Sequence, residues 1–169
     1  MPENRKILKI VVVGDAISGK TCLVKSYTEG VFPKEYSLTM GGSFAVKNLN
    51  IGDQLIKLQI WDLAGYPHFK DTRCLCYKNT MGVVYVFDVT RRETFESLDG
   101  WRGEIAEAWG DVPGVIVGNK VDLSRRKVAR NEGKRYAESV GMPHIEAGAL
   151  TGKNVDKVFW TIASLVAKR

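Results

Sequence analysis

The segment that most constrains this chain lies at residues 14–21 and reads GDAISGKT. It follows a β-branched run at residues 10–13 and precedes a helix-compatible stretch at residues 22–25. A strand that ends in G-x-x-x-x-G-K-T and continues as a helix is a phosphate cradle, because its glycines let backbone N–H groups point inward around an anion. The helix N-terminus adds partial positive charge, Lys20 adds a full charge, and the Thr21 hydroxyl can ligate Mg²⁺. We therefore predict a site for a phosphate-bearing ligand.

Strand and helix patterns alternate along the 169 residues, which suffice for one domain with a single core. Predicted strands cover residues 7–13, 44–49, 55–62, 82–89, 112–117 and 143–147. Predicted helices cover residues 21–29, 94–109, 131–140 and 154–167, with Asn154 as the N-cap of the last, and residues 31–43 form a loop. We predict an α/β fold with a mostly parallel six-stranded sheet, one antiparallel edge strand and helices on both faces. Ligands of such sheets bind beyond the carboxyl ends of the strands.

Composition excludes some classes of protein. Hydrophobic residues make up 44% and charged residues 26% of the chain, which is typical of a globular domain, and no apolar run is long enough to span a membrane. The odd number of cysteines (Cys22, Cys74 and Cys76) indicates reduced thiols in a cytosolic protein. The net charge of +6 comes largely from basic residues between 125 and 135. Such a run could contact acidic lipid or nucleic acid, but it is more often a solvated helix face, and we predict no nucleic-acid partner.

A second motif, Asp62-Leu63-Ala64-Gly65, ends an apolar strand. A carboxylate at that place can hold a metal ion through water, as the second acidic element of P-loop nucleotidases does. Gly65 lets its backbone approach a terminal phosphate. The D-x-x-G pattern alone is weak evidence, because a turn at a strand end gives the same letters.

The third motif, Asn119-Lys120-Val121-Asp122, also follows a predicted strand. The Asp122 carboxylate can accept two parallel hydrogen bonds from the ring N–H and exocyclic amine of guanine, donors that adenine lacks. Asn119 can tie this loop to its neighbours, and the aliphatic stem of Lys120 can cover the base plane. Together with the phosphate loop, this motif predicts guanine-nucleotide binding.

With these motifs in place, the chain resembles the Ras superfamily of small GTP-binding proteins over residues 7–168, and it is most similar to the Rab family. Residues 14–21 match the first guanine-nucleotide motif and Thr39 the second. Residues 62–65 match the third and residues 119–122 the fourth. The resemblance implies a P-loop NTPase G domain over residues 1–169 that uses GTP, GDP and Mg²⁺.

The resemblance also implies roles for single residues. Phe32 should stack against guanine, Thr39 should ligate Mg²⁺ and contact the γ-phosphate, and the Ala149 N–H should face the guanine carbonyl. The implied Mg²⁺ ligands are Thr21, Thr39 and, through water, Asp62, and the residues implied in hydrolysis are Lys20, Thr39 and Tyr66. The implied nucleotide contacts are Asp15, Ala16, Ile17, Ser18, Gly19, Lys20, Thr21, Cys22, Phe32, Thr39, Gly65, Asn119, Lys120, Asp122, Ala149 and Leu150.

Several residues depart from the family pattern. Tyr66-Pro67 replaces the usual Gln-Glu, whose glutamine orients the attacking water, so we predict slow hydrolysis. Pro67 restricts Tyr66 to extended conformations, and Ala16 would crowd an incoming arginine finger. Ile17 requires a backbone conformation without positive φ, which predicts a re-shaped loop. Leu150 replaces a lysine, which predicts weaker guanine affinity.

We therefore predict a Rab-like guanine-nucleotide switch that hydrolyses GTP slowly. Two alternatives stay open: a GTP-binding scaffold or interaction module almost without hydrolysis, favoured by Tyr66, Pro67 and Ala16, and another P-loop enzyme such as a small-molecule kinase.

The resemblance implies effector proteins that bind through residues 31–44 and 64–78, with Phe44 and Trp61 displayed to them, as well as an exchange factor and a GTPase-activating protein. It also implies a role in vesicle traffic, in the cytoplasm or on the cytosolic face of endomembranes. The chain ends at Arg169 without the prenylated cysteines of Rab tails, so we expect membrane attachment only if a lipidated tail is missing from this chain. We expect a monomer.

Overall fold

A computed structural model describes residues 5–30 and 41–169. Its strands are β1 (Lys6–Val13), β2 (Gly42–Ile51), β3 (Gln54–Leu63), β4 (Gly82–Asp88), β5 (Gly114–Asn119) and β6 (His144–Glu146). They form one six-stranded sheet in the order β2-β3-β1-β4-β5-β6. Neighbouring strands are parallel except for β2 and β3, which are antiparallel. The predicted fold class is confirmed.

Helices cover both faces of the sheet because the central strands are apolar on both sides. The helices are α1 (Lys20–Glu29), α2 (Lys70–Cys76), α3 (Arg92–Glu96), α4 (Leu98–Ala108), α5 (Arg130–Ser139) and α6 (Val155–Ala167). In β1, Ile10 and Val12 point into a core shared with α1 and α6. Val11 and Val13 point into a second core shared with α4 and α5. The alternation of side chains along a strand divides the core in this way.

The β2–β3 hairpin forms the antiparallel edge of the sheet. Pairing runs from Gly42 opposite Leu63 to Ile51 opposite Gln54, so the loop predicted over residues 31–43 ends two residues early. Phe44 lies directly opposite Trp61. Residues 31–40 of that predicted loop lie outside the described part of the chain.

The helix predicted over residues 94–109 is wrong as a single element. It is interrupted at Ser97, which separates α3 from α4. The Ser97 hydroxyl lies 2.8 Å both from the Glu93 carbonyl oxygen and from Asp15 Oδ2 in the phosphate loop, so its single proton is shared between two acceptors. Serine side chains compete with the backbone for such bonds, which favours a break in a helix.

Other strands and helices also differ from their predictions, for identifiable reasons. β5 begins at Gly114 rather than at residue 112, because Pro113 has no N–H for the sheet. Asn154 occupies the N-cap position of α6, but with φ 57° and without a side-chain cap bond. Its amide instead donates to the Glu146 carbonyl at 2.8 Å. α2 was not predicted, because its buried residue is Arg73 rather than an apolar stripe.

Two further observations concern the expectations from composition, namely the state of the cysteines and membrane-spanning segments. Cys22, Cys74 and Cys76 are all free thiols. Among the helices of residues 5–30 and 41–169, none has the length and hydropathy needed to cross a bilayer.

Candidate functional site

The phosphate loop joins β1 to α1 at the carboxyl edge of the sheet. Lys20 is buried, and its ammonium donates to the Gly14 and Asp15 carbonyls at 2.8 Å each. Burial lowers the pKa of Lys20 to about 8. These bonds curl the loop around the lysine, which holds a positive charge where a phosphate would bind.

The Asp62–Gly65 turn lies directly against the phosphate loop. A Cβ atom added at Gly65 would lie 2.3 Å from the Gly14 oxygen and 2.4 Å from the Ala16 nitrogen. Real Cβ atoms do not approach backbone atoms this closely, so the packing needs a glycine. The structure thus brings the D-x-x-G motif of residues 62–65 together with the phosphate loop of residues 14–21.

Ile17 adopts the left-handed conformation, with φ 65°. The prediction that this residue requires a negative φ is wrong. The local cause lies in the loop, where the Ser18 N–H donates to the Asp15 carbonyl at 3.3 Å and the Ile17 carbonyl accepts from Lys120 at 2.8 Å. A β-branched residue in this region carries a strain of about 1–2 kcal/mol, and strain of this kind is concentrated at functional sites.

This strain predicts an inverted stability order at position 17. Glycine normally destabilises relative to alanine, but the Ile17→Gly variant should unfold at higher denaturant than Ile17→Ala, by about 1 kcal/mol in the free energy of unfolding. The measurement is urea denaturation of nucleotide-free protein. Ala16→Gly is the matched control. Ala16 has no positive φ, so replacing it by glycine should lower the free energy of unfolding, as glycine normally does. If Ile17→Gly is the less stable of the pair at position 17, the strain is absent.

The candidate Mg²⁺ site consists of a hydroxyl and a carboxylate. The Thr21 hydroxyl donates to Asp62 Oδ2 at 2.5 Å, and the Ser43 hydroxyl lies 3.5 Å from the same oxygen. Asp62 Oδ1 is buried and has no hydrogen-bond partner among the described residues, and burial raises the pKa of Asp62. An unsatisfied buried carboxylate oxygen beside a hydroxyl suits a hard cation with oxygen ligands. Thr39, the other expected ligand, lies outside the described residues.

A cavity of 240 Å³ opens beside the phosphate loop. Two of its walls come from the loop that follows β5 and the loop that follows β6. The lining residues are Ile17, Gly19, Cys22, Asn119, Lys120, Asp122, Leu123, Ala149 and Leu150. Eight of these nine were predicted as nucleotide contacts; Leu123 was not. Phe32, which was also predicted, lies outside the described residues.

Hydrogen bonds tie the walls of this cavity together. The Asn119 amide donates to the Ser18 carbonyl at 3.0 Å, as expected for a residue that joins loops. The Lys120 ammonium donates to the Ile17 carbonyl at 2.8 Å and pairs with Asp88 at 3.0 Å. The Val121 N–H donates to the Ala147 carbonyl at 3.3 Å. The loops that follow β5 and β6 therefore hold fixed positions relative to the phosphate loop.

Tyr66 follows Gly65 and stands at the start of a 3-10 turn (Pro67–Phe69). Its backbone is extended, with φ −77° and ψ 142°, which confirms the effect expected of Pro67. Its ring stacks on His68, with centroids 5.6 Å apart. The hydroxyl therefore belongs to a rigid ring packed against a neighbour.

Sequence reasoning missed the residues behind the phosphate loop. The Asp15 carboxylate, expected at the nucleotide, accepts hydrogen bonds from Ser97 at 2.8 Å and from the Trp101 indole at 2.9 Å. Arg91 donates to the Ala16 carbonyl at 3.3 Å. The available signal was the i, i+4 spacing of Ser97 and Trp101, but a pattern of mixed polar and aromatic residues does not indicate what it contacts.

The fold and the three convergent loops define a nucleotide-binding α/β domain of the P-loop type. The sequence matches the Ras family over residues 9–168, and the chain belongs to that family. It is similar to the Ras-related protein Rab-30 of Homo sapiens (37% identical, over 93% of this chain and 78% of the relative) and to the Ras-related protein SEC4 of Saccharomyces cerevisiae (34%, over 96% and 76%). These likenesses make it a Rab-like member.

Another relative is DnaJ homolog subfamily C member 27-A of Xenopus laevis, which is 36% identical over 97% of this chain. The chain spans 63% of the length of that relative.

Proposed function

We propose that this chain is a guanine-nucleotide switch that binds GTP and GDP with Mg²⁺, hydrolyses GTP slowly and regulates the binding of effector proteins. The observation that carries the proposal is the pair of bonds from Asn119 and Lys120 to the phosphate loop. Through them, a loop suited to a purine and a loop suited to phosphates share one cavity. Membership of the Ras family supports the same function.

In this proposal, each residue has a defined task. The Asp122 carboxylate accepts from guanine at one end of the cavity, and the Lys20 ammonium exchanges its bonds to Gly14 and Asp15 for bonds to phosphate oxygens. Thr21 and Asp62, with Thr39, hold the Mg²⁺. When bound, the ion neutralises charge that develops on the β- and γ-phosphates. The Ala149 N–H faces the guanine carbonyl.

Slow hydrolysis follows from the residues at the expected place of the attacking water. A glutamine amide both donates to and accepts from that water. Tyr66 has a phenol on a ring stacked against His68, and the extended backbone before Pro67 limits where that ring can move. The Ala16 methyl narrows the approach for an arginine from a partner.

A Tyr66→Gln variant should hydrolyse bound GTP faster than the wild type, by about tenfold or more, because an amide can orient the water. The measurement is single-turnover hydrolysis of preloaded GTP, in which the conversion of bound GTP to GDP is followed over time in quenched samples. Tyr66→Phe is the matched control and should behave as the wild type, since the hydroxyl has no task. Equal rates for Tyr66→Gln and the wild type would contradict this account of Tyr66.

The same experiment separates the switch from a second candidate, a GTP-loaded scaffold almost without turnover. Tyr66, Pro67 and Ala16 favour the scaffold. If the wild type keeps GTP unhydrolysed for hours and purifies with triphosphate, the scaffold is the better description. Recovery of adenine nucleotide would instead indicate a kinase-like P-loop enzyme.

For effectors, we propose residues 31–44 and 64–78 as the contact surface. Within the described part, Phe44 is 52% exposed and meets Trp61 edge-on, with ring centroids 5.2 Å apart. Leu75 on α2 is 81% exposed. Exposed apolar side chains at these positions support a protein contact. A role in vesicle traffic, in the cytoplasm or on the cytosolic face of endomembranes, is proposed from the likeness to Rab proteins, as are an exchange factor, a GTPase-activating protein and a monomeric state.

A further inference from the structure

One face of α4 contacts the phosphate loop. Ser97, at the start of the helix, and Trp101 are spaced i, i+4 and lie on the same side. Both donate to the Asp15 carboxylate, at 2.8 Å and 2.9 Å. Glu104 continues this face three residues further along α4. The phosphate loop is thus anchored from behind by α4.

Arg73 of α2 binds the same face. Its Nε lies 3.0 Å from Glu104 Oε1 and its Nη2 lies 3.4 Å from Oε2, which is a two-point ion pair. Its guanidinium also lies over the Trp101 ring, 4.6 Å from the centroid. The Arg73 and Glu104 side chains are only 4% and 8% exposed. A buried arginine needs such partners, because an unpaired buried charge is costly.

The remaining donors of Arg73 hold the backbone of the turn that lies on the phosphate loop. Its Nη1 donates to the Ala64 carbonyl at 2.9 Å and to the Tyr66 carbonyl at 2.6 Å. These carbonyls flank Gly65, the residue whose Cα packs against Gly14 and Ala16. Arg73 therefore clamps the residues on both sides of that contact.

We infer that Arg73 is a positioning residue that holds residues 64–66 on the phosphate loop in the GDP-bound and GTP-bound forms alike. In nucleotide switches, segments of this kind are ordered by the γ-phosphate and released when it leaves. Here the ordering contacts come from within the chain, from α4 through Glu104 and Trp101. The inference rests on the proposed function, since it concerns how the protein responds to guanine nucleotide. If residues 64–66 stay in place, any conformational change between the GDP-bound and GTP-bound forms takes place in other segments.

Hydrogen exchange of the backbone amides of residues 64–66, 68 and 69 tests this inference; Pro67 has no N–H. The protein is loaded with GDP or with the β,γ-imido analogue of GTP. In the wild type, exchange rates in the two forms should differ by less than about threefold. In Arg73→Ala, exchange in the GDP form should rise by roughly 30-fold or more, and less in the analogue form, where the γ-phosphate replaces the missing contacts. A nucleotide dependence absent from the wild type should therefore arise, which a merely structural role would not produce.

Other variants guard the test against a folding defect. Glu104→Gln keeps the shape of the side chain and removes the charge that orients Arg73. It should also raise amide exchange more in the GDP form than in the analogue form, to a smaller extent than Arg73→Ala does. If Arg73→Ala does not fold, this variant is the one measured. Arg73→Lys should fail to restore wild-type exchange, because one ammonium does not match the four contacts of the guanidinium. Arg92→Ala, which breaks the exposed ion pair with Glu132, is the matched control and should change nothing at residues 64–69.

Two results would overturn the inference: a wild type whose exchange at these amides differs more than about tenfold between the two forms, or an Arg73→Ala protein that exchanges as the wild type does. The amount of guanine nucleotide retained by the wild type is measured first. A protein that retains none would overturn the proposed function itself, whereas loaded protein with strongly nucleotide-dependent exchange would overturn only the role of Arg73.

Discussion

An Asp122→Asn variant should lose its preference for guanine and bind xanthine nucleotides instead. The Asp122 side chain lines the cavity between the phosphate loop and the loop of Ala149 and Leu150. A carboxylate there accepts two hydrogen bonds from guanine. In asparagine, an NH2 group replaces one of the two carboxylate oxygens. This donor then faces the guanine amine, which is also a donor, and the two repel each other. Xanthine has a carbonyl at that place and accepts from the amide.

The expected size of this change is large because the hydrogen bonds are charge-assisted and desolvated. We expect affinity for GDP to fall by about 10³-fold, with xanthosine diphosphate becoming the tighter ligand. Competition of the two nucleotides for a fluorescent analogue measures the ratio. Asp53→Asn in the β2–β3 turn makes the same chemical change far from the cavity lining and should leave the ratio unaltered. An Asp122→Asn protein that still prefers guanine would remove Asp122 from the base site.

Much of the fold could be predicted because its signals are local. The apolar runs at residues 10–13, 82–87 and 115–117 are buried on both faces, and buried parallel strands read as continuous apolar segments. The motifs lie at the carboxyl ends of β1, β3 and β5. Once the strands are assigned, parallel connections place those motifs at one edge of the sheet. This placement brings Gly19, Asn119 and Asp122 to the cavity, whereas Ala149 and Leu150 were expected there only from the resemblance to the Ras superfamily, and Leu123 was not expected.

The remainder of the site depends on contacts between residues distant in the chain. Arg73 lies in a segment with no apolar periodicity, and its partner Glu104 is a polar residue on an ordinary helix. The break at Ser97 depends on Asp15, which is 82 positions away. Ile17 adopts a positive φ because Lys120 and the rest of its loop fix the backbone there. Hydrophobic pattern and turn chemistry carry no information about such pairings.

The approach of β4 to the phosphate loop depends on Gly14. Its φ is 149°, and a Cβ atom added there would lie 2.1 Å from the Val86 carbonyl oxygen. That oxygen belongs to a central strand paired on both sides, so it cannot move aside without distorting the sheet. Any side chain at position 14 must therefore displace the start of the phosphate loop from the strand edge.

Gly14→Ala should accordingly lower the free energy of unfolding by about 3 kcal/mol, the sum of backbone strain and overpacking. Gly103→Ala is the contrasting control. Gly103 lies inside α4 with nothing within 4 Å of an added Cβ, so that variant should gain about 0.5–1 kcal/mol from helix propensity. Both are measured by urea denaturation of nucleotide-free protein, because bound nucleotide would add its own binding energy to the folded state. A Gly14→Ala protein as stable as the wild type would mean that the loop and the strand are further apart than the structure shows.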